Sequence, residues 1–294
     1  MNDDNRDPLL LTPGPLTTSA ETKQAMLHDW GSRDQSFIDA TQNVRDALVD
    51  VSGGGDAFTA VPVQGSGTFA VEAMVGTFLP KNRKLLIVVN GAYGHRIAKI
   101  CDYIARRYTV LETPEDTPPD VGAISRTLAD DPDISHVVVI HCETTSGILN
   151  PVEDIAAAVA AENRRLLIDA MSAFGAIPLN LTRISCDAVA ASSNKCFEGV
   201  PGMGFVLCRK ASLEETKGNA HSLSLDLFDQ WQAMEANGQW RFTPPTHVVF
   251  AFEAALKAHA REGGVDGRFA RYSENCSILV DAWSRYSGVD GIWL

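Results

Sequence analysis

The run Val137-Val138-Val139-Ile140 is apolar at every position, with no polar face to turn toward water. A segment this short and this uniform fits a strand covered on both sides, as in the interior of a parallel sheet. Similar short apolar runs occur at 59–63, 85–90, 166–169, 188–191 and 204–208, and 137–141 extends the first. Between and around them lie stretches of helical length and helical spacing, at 36–51, 68–78, 94–107, 121–130, 153–162 and 247–261. Strands alternating with helices predict an α/β fold: a wound, mostly parallel sheet with helices on both faces. Residues 113–119, rich in Pro, Glu and Asp, form the one linker-like piece. Near residue 262 the pattern changes to Gly263-Gly264-Val265, followed by a helical stretch to about residue 286.

Composition narrows the function classes. Hydrophobic residues make up 45% and charged residues 21% of 294, the profile of an ordinary soluble enzyme. The net charge of −12, with no long basic run, argues against nucleic acid or an anionic membrane as partner. No apolar stretch reaches the ~20 residues of a membrane span. Residues 1–7 are polar and acidic and lack the apolar core of a signal peptide, so a cytoplasmic protein is expected. The six cysteines are scattered without a Cys-x-x-Cys pair, which predicts buried reduced thiols and no metal site.

Two residues stand out chemically. Lys195 lies in Ser193-Asn194-Lys195-Cys196-Phe197-Glu198-Gly199-Val200-Pro201-Gly202, and Asp169 ends the apolar run Leu166-Leu167-Ile168. A lysine that forms an imine works in a dry, crowded place that favours the free amine. An acid at the end of a buried strand can hold the protonated ring nitrogen of pyridoxal phosphate, PLP. Taken singly, Lys195 also fits a surface loop lysine and Asp169 a turn or cap residue. Gly65-Ser66-Gly67-Thr68 follows one strand and opens a helix, where free N–H groups and a hydroxyl can receive an anion. The same tetrapeptide fits a tight turn with a capping hydroxyl. Its Gly-x-Gly lacks the third glycine of a dinucleotide fingerprint.

Other candidates follow strand ends. Tyr93 could stack on a flat ring or simply pack. Glu143-Thr144-Thr145-Ser146-Gly147 is a hydroxyl-rich turn. His141 fits a core histidine as well as a base, and Cys196 fits packing better than nucleophilic work.

Together with Leu10-Leu11-Thr12-Pro13-Gly14-Pro15-Leu16, Asp169-Ala170-Met171-Ser172 and Gln239-Trp240-Arg241-Phe242-Thr243-Pro244-Pro245-Thr246-His247, these segments resemble the class V, fold-type I aminotransferases. Their order and spacing match from about residue 9 to 275, nearest to the members that act on phosphonates. The resemblance implies PLP as cofactor, 2-aminoethylphosphonate as amino donor and pyruvate as acceptor. It implies Lys195 and Asp169 as catalytic residues, and Ser66, Gly67, Thr68, Tyr93, Thr144, Met171, Asn194 and Thr243 as further cofactor contacts. Thr144 and Thr145 are not distinguished. Thr243 would reach the cofactor of a neighbouring subunit, which implies a homodimer with shared sites. Arg33 is a further candidate cation near the pocket.

The resemblance also implies three parts: a substrate-loop segment (1–20), a large cofactor domain (21–261) and the start of a small C-terminal α/β domain (262–294). Residues 284–294 depart from the family pattern, and the family's substrate-carboxylate arginine is expected beyond this chain's end. Two alternatives stay open: an alanine– or serine–glyoxylate type transaminase, and a truncated PLP-fold protein without catalysis. Cysteine desulfurases fit less well, because Asn194 stands where they carry histidine.

Overall fold

Every expected apolar run becomes a strand of one sheet. The structure is a computed structural model that describes residues 7–287; the polar stretch 1–6 and the closing residues 288–294 lie outside the described residues. In chain order the strands are β1 (Phe58–Gln64), β2 (Lys84–Val89), β3 (Arg107–Glu112), β4 (Ile134–Ile140), β5 (Arg165–Asp169), β6 (Ala188–Ser192) and β7 (Met203–Arg209). Their order across the sheet is β1-β7-β6-β5-β4-β2-β3. Strand β7 is antiparallel to both neighbours, β1 and β6, and the remaining pairings are parallel, so six strands share one direction.

The helices are α1 (Ala20–Gln24), α2 (Gln35–Ser52), α3 (Gly67–Phe78), α4 (Ala92–Tyr103), α5 (Val121–Asp130), α6 (Val152–Ala161), α7 (Lys210–Glu214), α8 (Leu227–Asn237), α9 (Thr246–Arg261) and α10 (Gly264–Ser287). Two cores form because side chains alternate along each strand. Val137, Val139, Leu166, Ile168 and Val189 pack on one face with residues of α2, α5, α6 and α9. Val138, Ile140, Leu167, Ala188 and Ala190 pack on the other with α3, α4 and α8. Val137, Val138 and Val139 are fully buried, which explains a run with no polar residue. Each such side chain contributes about 1.5–3 kcal/mol of burial free energy.

Several elements differ from expectation, among them the short helices α1 and α7, which were not anticipated. The helix expected over 94–107 ends at Tyr103, where Ala105 adopts a left-handed conformation (φ 53°) and reverses the chain. Arg107 then opens β3, an edge strand whose half-exposed residues carry no continuous apolar signal. Helix α8 was not expected, although Asp226 caps it through Asp229 N–H (3.1 Å) and Gly238 ends it at φ 74°.

Parallel strands place their carboxyl ends along one edge, where ligands of such sheets bind. The segments after β1, β2, β4, β5 and β6 meet there. Asn90 and Asn150 clamp two of them: Asn90 Nδ2 donates to Asn150 Oδ1 at 2.8 Å, and Asn150 Nδ2 donates to Ile140 O at 2.8 Å.

Candidate active site

Asp169 is the last residue of β5 and is 3% exposed. Its Oδ1 accepts the Met171 N–H at 3.0 Å. Burial pushes the carboxyl up to about 6, with the Met171 bond pulling the other way and Glu143 adding repulsion. An ionised group held this dry calls for a positively charged partner.

Lys195 sits in the turn after β6, and the turn is fixed at several points. Ser193 Oγ lies 2.6 Å from Val200 O and 3.0 Å from Met203 O. Ser192 Oγ donates to Asn194 Oδ1 at 3.0 Å. Phe197 is buried among Phe174, Phe205, Phe252 and His259, with ring centroids 5.0–6.2 Å away. Gly199 N–H donates to Ser193 O, and a Cβ on Gly199 would come within 2.8 Å of that oxygen. Among the described residues Lys195 Nζ has no hydrogen-bond or ion-pair partner.

Helix α3 begins at Gly67, and its N-cap Ser66 makes no side-chain capping bond. Phe69 N–H donates to Ser66 O at 3.0 Å, and the Gly67 and Thr68 N–H groups remain available beside the Ser66 and Thr68 hydroxyls. Met171 Sδ packs on Gly67 so closely that a Cβ there would lie 2.3 Å from it.

One cavity of about 180 Å³ is lined by Ser66, Gly67, Thr68, Tyr93, Asp169, Met171, Asn194 and Lys195 together. Thr144 is in an adjoining cavity, hydrogen-bonded to Ser172 Oγ, whereas Thr145 Oγ1 donates to Glu143 Oε1 at 3.2 Å. Thr243 lines a different cavity, with Trp240, Phe242 and Gln64. Arg33 is exposed and lines none of these three. His141 is buried with Nδ1 lacking a partner, and burial lowers its imidazole to about 4, so it is neutral near pH 7. Cys196 is buried with its thiol 3.2 Å from Ser172 O, and burial pushes it up to about 12.

Four residues at the site were not singled out in the sequence reading, although Gly14 and Glu198 lie within its matched segments. Arg96 lines the cavity one turn along α4 from Tyr93; its guanidinium lies 4.4 Å from the Tyr93 ring centroid and its Nη1 3.5 Å from Thr68 Oγ1. The (i, i+3) spacing of Tyr93 and Arg96 could have found it. Gly14, in the loop Thr12-Pro13-Gly14-Pro15, lies directly against Lys195. Arg268 of α10 is 2% exposed; it donates through Nη1 to Cys196 O and through Nη2 to Glu262 Oε2 at 2.7 Å. Glu198, three residues beyond Lys195, accepts from Arg271 Nη2 at 2.8 Å and Tyr272 Oη at 3.0 Å.

A partnerless amine, a buried acid with one protein donor and an open helix N-terminus form a donor set with three separate demands. They fit PLP: an aldehyde for Lys195, a ring nitrogen that carries a proton for Asp169, and a phosphate for α3. Among the described residues no three potential metal ligands cluster, and no helix is long and apolar enough to cross a membrane.

The family model described as aminotransferase class-V matches residues 19–278. A 2-aminoethylphosphonate–pyruvate transaminase of Pseudomonas fluorescens is 54% identical over 275 residues, covering 94% of this chain and 74% of that protein. One of Pseudomonas aeruginosa is 52% identical over 285 residues, covering 97% and 77%. The crystal structure of an alanine–glyoxylate aminotransferase from Nostoc superposes with a TM-score of 0.87 at 21% identity, covering 97% of this chain and 76% of that one. A pyridoxamine–pyruvate aminotransferase from Mesorhizobium loti gives 0.82 at 23%, covering 92% and 69%. At these identities the two structures show the fold.

Proposed function

The chain belongs to the class-V aminotransferases, and from that premise we propose that it transfers the amino group of 2-aminoethylphosphonate to pyruvate with PLP as cofactor, giving phosphonoacetaldehyde and alanine. The observation that carries the reading is the single cavity shared by Lys195, Asp169 and the start of α3. The substrate pair follows the relatives that share more than half of this chain's residues. PLP, when bound, supplies an electron-poor ring that takes up the electron pair released as the substrate's Cα–H bond breaks.

The chain's own residues divide the remaining work. Lys195 Nζ would hold the cofactor through its aldehyde group and would serve as the base that carries the proton from the substrate carbon. Asp169 keeps the ring nitrogen protonated. Ser66, Gly67 and Thr68 would bind the phosphate, and Tyr93 would pack against the ring. Thr144 serves the ring's phenolic oxygen, Met171 and Asn194 pack beside Asp169 and Lys195, and Thr243 serves the site of a second copy in a homodimer. The reading assigns 21–261 to the cofactor domain, 1–20 to the substrate loop and the chain from 262 to a second domain, in a cytoplasmic enzyme.

The test is PLP-loaded protein mixed with one amine at a time, with the absorbance of the bound cofactor followed as its aldehyde form converts to its amine form. Rapid conversion by 2-aminoethylphosphonate and slow conversion by β-alanine, which carries a carboxylate in place of the phosphonate, and by serine is expected. Conversion by serine as fast as by the phosphonate would assign the chain to a serine–glyoxylate type reaction. No conversion by any amine would reject a transaminase.

A further inference from the structure

We propose that the protein carries a second anion site, for a phosphate-type dianion, in the cleft at the amino ends of β2, β4 and β5. It lies at the end of the sheet opposite Lys195. The cleft encloses about 500 Å³ and is lined by Arg83, His136, Arg164, Arg165, Lys217 and Asn219, among others. In a chain of net charge −12, four cations in one cleft are a local inversion of sign.

Ion pairing does not account for them. Arg165 is paired with Glu215 and lies 3.7 Å from Asp187. Among the described residues, Arg83, Arg164 and Lys217 have no carboxylate within 4 Å. Arg83 and Arg164 each give one nitrogen to a nearby carbonyl, Pro132 O and Glu162 O, both at 3.1 Å. Their remaining donors and the Lys217 ammonium are left over.

One buried donor, Arg164 Nε, points the same way. Arg164 Nε and His136 Nε2 are both buried without a hydrogen-bond partner, and both residues line this cleft. His136 is 2% exposed, and burial, with Arg165 and Arg83 adding repulsion, lowers its imidazole to about 3. The ring is therefore neutral. Ser135 Oγ lies 2.9 Å from Nδ1, and Asp187 Oδ2 lies 3.7 Å from Nε2. With the carboxylate on that side the proton belongs on Nε2, where it faces Asp187 Oδ2 rather than a ligand. Asp187 is itself held by the Ser212 hydroxyl at 2.7 Å. The cleft thus presents guanidinium and ammonium donors, and its one lining carboxylate, Glu215, is already taken by Arg165. Several convergent cationic donors suit a dianion with three oxygens better than a monocarboxylate. Strand β5 runs from Arg165 in this cleft to Asp169 in the candidate active site, about 13 Å away at ~3.3 Å per residue.

The test uses protein loaded with PLP, so that the cavity around Lys195 is filled, titrated calorimetrically in a phosphate-free buffer. Inorganic phosphate is the first probe and glycerol 3-phosphate the second. Saturable binding is expected, weakened about tenfold in Lys217→Gln and in Arg83→Gln and unchanged in Lys257→Gln, a lysine on α9. Lys217 is exposed, so its variant leaves packing intact. Tighter binding of the monoester would name a phosphorylated metabolite as the ligand; tighter binding of phosphate would name the free ion. No saturable binding of either probe, or equal binding in all three variants, would overturn the site.

Discussion

Gly14 and Lys195 are in direct contact: a Cβ built on Gly14 would lie 2.5 Å from Lys195 Cδ and 2.9 Å from Nζ. The loop bearing Gly14 also bends back on itself, with Gly14 N–H donating to Thr12 Oγ1 at 3.1 Å. It therefore closes over the amine at the one position where a side chain has no room, and at φ 148° the backbone favours glycine as well.

Gly14→Ala is expected to displace Lys195 without disturbing either core. Borohydride fixation of PLP on Lys195 and the amine half-reaction should slow on the order of a hundredfold, the cost of moving a reacting group by about 1 Å. The urea midpoint should stay near that of the native chain. Unchanged fixation kinetics would show that the loop does not position the lysine.

Asp169 predicts an unusual pH dependence for the PLP-free protein. Its carboxyl is held near 6 by burial, above the ordinary 3.8. The native state therefore binds more protons than the unfolded chain between about 4 and 6, and stability falls as pH rises through that window. Two pH units correspond to about 3 kcal/mol, fully felt above pH 6 and absent below pH 4. Asp169→Asn should be more stable than the native chain at pH 7.5 by up to that amount, and the two should converge near pH 4. Denaturation curves that stay parallel from pH 4 to 8 would contradict it. The same variant should nearly abolish exchange of the substrate's Cα proton.

Much of this arrangement was legible in the sequence, and the limits have physical causes. Strands β4 and β5 announced themselves because both faces are covered, so no polar residue interrupts them. Strand β3 did not, because an edge strand half open to solvent looks like any mixed segment. Lys195 and Asp169 stood out locally, in a Gly/Pro-rich turn and at the end of an apolar run, but only the ordered set of family-like segments gave them roles. Arg268 was not, because its acceptor is a backbone carbonyl 72 residues away. The Gly14 motif was matched as a segment, but its contact with Lys195 exists only after folding.

Arg268→Ala should destabilise the chain by roughly 1–3 kcal/mol, because it leaves the buried Cys196 carbonyl without its donor, whereas Glu262 keeps Arg271, whose Nε donates to it at 2.7 Å. No full buried-pair penalty is expected, since Glu198 and Glu262 both stay paired with Arg271 and their side chains are about a quarter exposed. Arg268→Lys should recover part of the loss, as it keeps the charge and not the fork. Urea titrations of both variants check this. Equal stability of alanine and lysine variants would mean the charge contributes nothing.

The buried thiols should be inert in the folded chain. Burial pushes Cys101, Cys186 and Cys196 to about 12 and Cys208 well upward. At pH 8 iodoacetamide should leave these four unmodified for hours, whereas unfolding in guanidinium should expose all of them within minutes. Rapid native labelling of Cys196, read by peptide mass spectrometry, would reopen it as a nucleophile.

The contacts of Gly14 and Arg268 converge on two adjacent residues, 195 and 196, from segments more than 250 positions apart. The sheet depends on neither. Shortening the protein from either flank should therefore loosen the reactive amine while the strands stay paired. Such a fragment could pass every assay of folding and still hold its cofactor in the wrong place.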